Sequence, residues 1–423
     1  MAMDKSAPPG YNLPWAGKKV RPDQVEEELT FLWHLAADNM RISQNMNVRT
    51  SVLNFVICAP DTQSAYQASS LLRDLASTHI ARVTLLILDT RSDLPSEMSS
   101  WVTLRSFPII SDIMRHHFEQ ITVTLTGGAV TSAASALQSL LKPDLPVYLW
   151  WLNDLPTDNT IFHRLINISS RVIVDSRDFS SPEESIRTLS ALLQEAPDCA
   201  LSDLNWGRLT PWRELVAQFF DVAEYRPYLA SVDRIEIEHA VAPFDGSART
   251  QQDPVSPNPI RALLLAAWLK TRLGWQLSSD DEPVYHDVRT GTHSWHMTSR
   301  ATSAAMTGPL SASRGGKAGS TTRGSIDISI RPRVQSELQP GNLCLVRLTS
   351  SIDGKQAVFS IDRGDDDDHA LTSVELPDNT RPPRIVNMAT KHKETELLHD
   401  ELEIMGRDHI YEEALHEVFA LLS

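Results

Sequence analysis

Glycine, cysteine and long apolar runs are scarce in this chain, and each shortage closes off a class of protein. Glycine makes up only 17 of 423 residues, and the first strand candidate ends in Cys58-Ala59-Pro60-Asp61 rather than in G-x-G-x-x-G. The tight turn that lets a backbone approach a pyrophosphate is therefore missing. Three cysteines in a chain this long cannot form a disulfide scaffold, which points to the reducing cytosol. No run of about 18 apolar residues is present, so nothing is expected to span a membrane. Residues 1–20 lack an apolar h-region and do not read as a secretory signal. Basic residues are outnumbered, 39 to 54, and the formal net charge of -15 argues against a nucleic-acid footprint. No G-x-S-x-G supports an esterase. The trio His286, His293 and His296 matches no zinc spacing, and the acidic run 365–368 lacks EF-hand spacing, so no metal is expected.

What the chain does have is a dense central stretch, residues 203–215 (DLNWGRLTPWREL). Thr210 and Pro211 read as a helix cap and first turn. Trp212, Leu215, Val216, Phe219 and Phe220 follow at helical spacing and line one apolar face. Trp206, Arg208, Trp212 and Arg213 fall within eight residues, and Trp and Arg are the side chains that most often carry binding energy at interfaces. The stretch reads either as a core helix preceded by a packed loop or as a partner-contact segment.

The rest of the chain divides around it. Residues 1–47 read as an irregular arm, rich in Pro and Gly, followed by a helix. Residues 48–200 alternate strands and helices, with strand candidates at 48–59, 81–88, 101–107, 119–126, 147–151 and 171–175. That pattern predicts a mainly parallel sheet with helices on both faces, Rossmann-like but without cofactor glycines. Gly127-Gly128, between a strand and a helix, offers either an anion-holding helix N-terminus or a plain tight turn. Residues 201–423 read as an α+β domain. It holds a half-exposed or edge strand at 232–241, an amphipathic helix at 260–273 and a flexible basic insertion at 298–323. An antiparallel meander over 325–331, 342–349, 356–362 and 370–376 follows, then two terminal helices. The fold class is therefore α/β. Cys58 and Cys344 lie in apolar strands and read as buried, while Cys199 lies in a loop and reads as the most reactive thiol.

Several blocks carry a family resemblance. Residues 49–54 (RTSVLN), 144–151 (DLPVYLWW), 171–176 (RVIVDS), 203–206 with 212–214, and 263–275 together resemble the OpcA family. These are the glucose-6-phosphate dehydrogenase assembly proteins of cyanobacteria and actinobacteria. The resemblance implies a non-catalytic allosteric activator that binds glucose-6-phosphate dehydrogenase, promotes its active oligomer and supports the oxidative pentose phosphate pathway. It brings no catalytic residue, cofactor or metal. It adds thioredoxin as a further partner, with Cys199, Cys58 and Cys344 as redox candidates. Trp206, Arg208, Trp212 and Arg213 become the expected contact residues. The alternative from the bare α/β pattern is an enzyme that binds a sugar phosphate or nucleotide sugar.

Overall fold

The computed structural model describes residues 13–43, 46–48, 51–75, 81–91, 93–110, 114–152, 154–156, 160–243, 258–277, 285–287, 290–299, 324–364, 368–388 and 393–422. Two compact units are present. One comprises Met1–Asp175, Leu192–Leu204 and Lys393–Arg407, and the other Ser176–Ala191, Asn205–His392 and Asp408–Ser423. Among the described residues, no helix is long and apolar enough to cross a membrane.

The first unit is an α/β body. Its elements are β1 (Lys18–Val20), α1 (Val25–Ser43), β2 (Met46–Val48), β3 (Leu53–Ala59), α2 (Thr62–Leu75), β4 (Ala81–Asp89), β5 (Glu97–Ile110), β6 (Met114–Thr126), α3 (Ala133–Leu140), β7 (Val147–Trp151), α4 (Thr160–Ile166), β8 (Arg171–Val174) and β9 (Ala200–Asp203); α5 (Pro182–Glu195), between the last two in sequence, belongs up to Ala191 to the second unit. The sheet runs β1-β5-β6-β4-β3-β7-β8-β9, with β2 against β6. Neighbours from β6 to β9 pair in parallel, as the alternation predicted. Every residue of β3, β4, β7, β8 and β9 is buried. A strand covered on both faces can be mostly apolar, and β7 (VYLWW) and the inner part of β4 are, while Asn54, Arg82, Asp89, Arg171 and Asp203 are polar exceptions buried in these strands. The helix Glu394–Glu403 sends Leu397, Leu398 and Leu402 into the same core.

Two expectations change here. Residues 1–20 were expected to lack regular structure, yet Lys18–Val20 form β1 and pair antiparallel with residues 100–102 of β5. An edge strand presents unpaired N–H and C=O groups, and this short segment satisfies some of them. Residues 1–12 lie outside the described residues. The strands expected at 101–107 and 119–126 are parts of one long antiparallel hairpin, β5 with β6.

The second unit holds α6 (Leu204–Gly207), α7 (Thr210–Asp221), α8 (Arg226–Leu229), β10 (Val232–Val241), α9 (Ile260–Leu273), β11 (Trp275–Leu277), β12 (Tyr285–Asp287), β13 (Thr292–Ser299), β14 (Ser325–Val334), β15 (Leu343–Ile352), β16 (Lys355–Asp362), β17 (His369–Leu376) and β18 (Asn379–Asn387). The helix Glu394–Glu403 of the first unit is then α10, and α11 (His409–Leu422) closes the second. The strand order is β11-β13-β14-β10-β15-β16-β17-β18, with β12 against β13. The meander runs over β15–β18, because β10 slots between β14 and β15, parallel to the first and antiparallel to the second. So β10 is central and not an edge strand. Its Ile235 and Ile237 face the core, and its outward acids are neutralised by neighbours: Glu236 by Arg347 at 3.1 Å and Glu238 by Arg333 at 3.6 Å. Residues 300–323, the greater part of the expected basic insertion, lie outside the described residues, as do 365–367 of the acidic run.

Candidate functional site

The first place to test is the point where strand order reverses, between β3 and β7. There an α/β sheet normally opens a ligand crevice at the strands' carboxyl ends. In this chain the turn after β3 delivers Asp61, whose Oδ1 accepts from Ser64 N at 2.8 Å and whose Oδ2 accepts from Ser64 Oγ at 3.2 Å. A carboxylate thus occupies the start of α2, where a phosphate would seek the free amides and the positive end of the helix. The second candidate, Gly127-Gly128, is a tight turn. Gly127 has φ of 52°, and a Cβ there would meet the carbonyl oxygen of Leu94 at 2.8 Å. Glycine is required by backbone geometry and close packing, with no anion needed to explain it.

The central stretch is a packed hub of the second unit. Trp206 is 3% exposed, Arg208 5% and Trp212 2%, while Arg213 is half-buried. Trp206 Nε1 donates to Asp408 Oδ2 at 2.9 Å, and its ring lies 5.7 Å from that of Tyr411. The Arg213 guanidinium sits 3.7 Å above the Trp206 ring, a cation–π contact, and its Nη2 donates to Thr210 Oγ1 at 2.9 Å. Burial pushes the Arg213 pKa down to about 10, with Asp408 and Glu214 opposing the shift. It stays charged at neutral pH. Asp408 Oδ1 also accepts from Tyr411 N at 2.9 Å, capping α11. Next to Trp206, Asn205 donates to Ser176 Oγ at 3.0 Å and accepts from Arg261 Nε at 2.7 Å.

Two readings of this stretch are corrected. Thr210 does not cap α7: the cap position is Leu209, with no side-chain bond, and the Thr210 hydroxyl serves Arg213 instead. Trp206, Arg208 and Trp212 are buried and have almost no surface to offer a partner. Of the four expected contact residues, only Arg213 reaches solvent. Trp206, Arg213, Asp408 and Tyr411 do come together. The link of Asp408 and Tyr411 to Trp206 was not legible, because Asp408 lies 202 residues from Trp206 and no local pattern joins them.

The cysteines are also placed differently from expectation. All three are free and buried. Cys199 lies in the turn before β9, with its amide donating to Ala196 O at 3.0 Å; Pro197 and Asp198 of that turn are exposed, but Cys199 itself is buried. Burial pushes its pKa up to about 11, partly opposed by Arg171 and Arg407. Burial likewise raises Cys344 to about 11, and raises Cys58 in β3 as well. Thiolate is the reactive form, so Cys199 is not the activated thiol its loop position suggested. His293 and His296 fall on opposite faces of β13, with His293 stacked on Trp295 and His296 bonded to Asp327. The side chain of His286 lies outside the described residues, and no metal-holding cluster occurs among those described.

Residues 199–415 match the OpcA family model for the C-terminal domain of the glucose-6-phosphate dehydrogenase subunit, and residues 72–191 match the model for its N-terminal domain. Three proteins named for the OxPP cycle, OpcA, are similar. One from Synechocystis sp. is 31% identical over 178 residues, 42% of this chain and 33% of the relative. One from Nostoc punctiforme is 33% identical over 175 residues, 41% and 33% of the two chains. One from Synechococcus elongatus is 28% identical over 217 residues, 51% and 44%. The matched part thus spans less than half the length of each relative. Among solved structures, a dehydrogenase from Clostridium difficile aligns over 88% of this chain and 97% of its own, at 13% identity and a TM-score of 0.40. That likeness is too distant to bear on function. With both of its parts matched, the chain belongs to the OpcA family of glucose-6-phosphate dehydrogenase assembly proteins.

Proposed function

We propose that this chain is a non-catalytic, cytoplasmic activator that binds glucose-6-phosphate dehydrogenase, stabilises its active oligomer and so supports the oxidative pentose phosphate pathway. The observation that carries this reading is the pair of family-domain matches at 72–191 and 199–415. The α/β unit supports it, since Asp61 stands where a cofactor phosphate would be held. A protein that only binds can activate in one way: by higher affinity for the competent form of its partner than for the other form. On this reading the Trp206–Arg213 hub fixes the shape of the contact surface from within, and Arg213 is its outermost member.

The test is dehydrogenase activity at varied glucose 6-phosphate, with and without this chain, using the dehydrogenase of the same organism. A lowered apparent KM or a raised kcat is expected, together with co-elution on a sizing column. No kinetic change and no co-elution would end the reading.

Redox control through thioredoxin forms the second part of the proposal. It requires Cys199, Cys58 or Cys344 to leave its buried site, because a buried, protonated thiol does not exchange. The folded chain is therefore expected to resist alkylation at pH 7 and to react once unfolded in urea. Rapid alkylation of Cys199 in the folded chain, with a redox-dependent activation, would instead establish a switch there.

A further inference from the structure

Among the described residues, the layer of helices on the second unit's sheet stops one helix short of the sheet's edge. α7 lies over β16, where Phe219 and Phe220 pack on Phe359 with ring centroids 5.6 and 5.0 Å away. Phe359 pairs with Val374 of β17, and Arg384 of β18 pairs with Thr372, so these residues share the α7 side of the sheet. Beyond α7, β17 and β18 present Thr372, Val374 and Val386 to a groove of about 230 Å³. Its other wall is the flank of α7 and the turn after it, with Val222 43% exposed. Two strands span roughly 10 Å, which is the width of one packed helix.

On the hairpin's other face Leu371 and Ile385 pair with each other, 42% and 75% exposed among the described residues. β18 is the terminal strand, and Pro382 and Pro383 block its ladder, as befits an edge. The groove thus carries exposed apolar surface at Val222, with Leu371 and Ile385 exposed on the opposite face, and such surface marks a contact site. Its rim is basic in a chain of net charge -15. Arg381 is held by Glu224 at 2.6 Å, whereas the exposed Arg384 has no acidic partner among the described residues.

We propose that the groove between α7 and the β17–β18 hairpin takes an amphipathic helix with acidic residues along one flank, contributed by the dehydrogenase. Its apolar face would lie on Val222, Val374 and Val386, and its acids would meet Arg384. The proposal rests on the dehydrogenase reading above. It also gives the central stretch a direct part, since α7 buries its tryptophan-bearing face inward and offers its other flank as a wall.

The test measures the affinity of the full chain for the dehydrogenase of the same organism at low and at high salt. The variants are Val222→Asp, Arg384→Glu and, as a control in the first unit, Phe31→Asp, which alters an exposed apolar residue remote in sequence from the groove. All three sites are exposed enough for the variants to fold, which unchanged melting temperatures would confirm. Val222→Asp is expected to weaken binding by about tenfold or more, as burial of a charge in an apolar contact should. Arg384→Glu is expected to weaken it by about threefold at low salt, with the difference shrinking at high salt. Phe31→Asp is expected to bind as the parent does. If Val222→Asp does not fold, Arg384→Glu and its salt dependence decide. Equal binding by the groove variants would overturn the groove while leaving the activator reading intact. Absence of binding by the parent chain would overturn both. Loss of self-association, with dehydrogenase binding unchanged, would assign the groove to a second copy of this chain and overturn the proposal as stated.

Discussion

At the scale of single residues, His239 is a titratable side chain held away from water. It lies in central β10 and is 1% exposed. Burial, followed by the nearby His293, pushes its pKa down to about 4. In the unfolded chain it would titrate near the ordinary histidine value of about 6.5. Between those values the unfolded state binds the extra proton, so stability rises with pH across that window. His239 is therefore expected to cost nothing above about pH 6.5, to lower stability progressively as pH falls, and to level off below pH 4 at a loss of about 3 kcal/mol. Urea midpoints measured from pH 4 to 7 on the parent and on His239→Leu check this. The variant's curve should be flatter, and equal slopes would show that the titration lies elsewhere. Nothing in the local sequence (Glu-His-Ala-Val) marks this residue as buried, because its burial comes from the position of β10 between two neighbours.

At the scale of elements, buried charge fastens α1 to the first unit's sheet. Arg82 Nε donates to Glu119 Oε2 at 2.7 Å, Trp33 Nε1 donates to Glu119 Oε1 at 2.7 Å, and Lys142 approaches the same carboxylate at 3.4 Å. Arg82 also binds Glu26 of α1 and the carbonyl of Leu140. Burial alone would raise the Glu119 pKa, yet Arg82 and Lys142 hold it below the usual carboxylate range. Glu119→Gln leaves the Arg82 charge with less compensation, and its expected cost is about 3 kcal/mol in urea unfolding. Loss of less than about 1 kcal/mol would mean that Glu26 and solvent suffice.

The helices and buried strands around this network were legible in the sequence because period and apolar run length carry them. The place of β10 was not. Its alternation of isoleucine with glutamate is what a half-exposed edge strand shows, and only the cross-strand arginines, about a hundred residues away, make it fit the centre of a sheet. β18 was also missed, since Pro382 and Pro383 argue against a strand, although an edge tolerates them.

At the scale of the whole molecule, binding and catalysis make different demands on the same α/β frame. A sugar-phosphate or nucleotide-sugar enzyme needs an anion cradle, and the switch point between β3 and β7 carries a carboxylate instead. Titration of the chain with NADP or with glucose 6-phosphate is accordingly expected to give no heat of binding in a calorimeter. Saturable heat from either would restore the enzyme alternative. The net charge of -15 makes like-charged partners repel over a Debye length, so a basic-rimmed groove is where an acidic segment could approach.

By itself the sequence determined the class of the fold, the parallel core of the first unit, the family, and the glycine-poor turn that disfavours a nucleotide, because each is written in local period, composition or contiguous motif. Only the tertiary structure decided which side chains are available. It enclosed Trp206, Arg208 and Trp212, gave Trp206 its partner Asp408, and buried Cys199 within an exposed turn. Among the described residues it also left β17 and β18 without a helix. Exposure depends on segments that are distant along the chain, and residue type within a thirteen-residue stretch carries no record of what will pack against it.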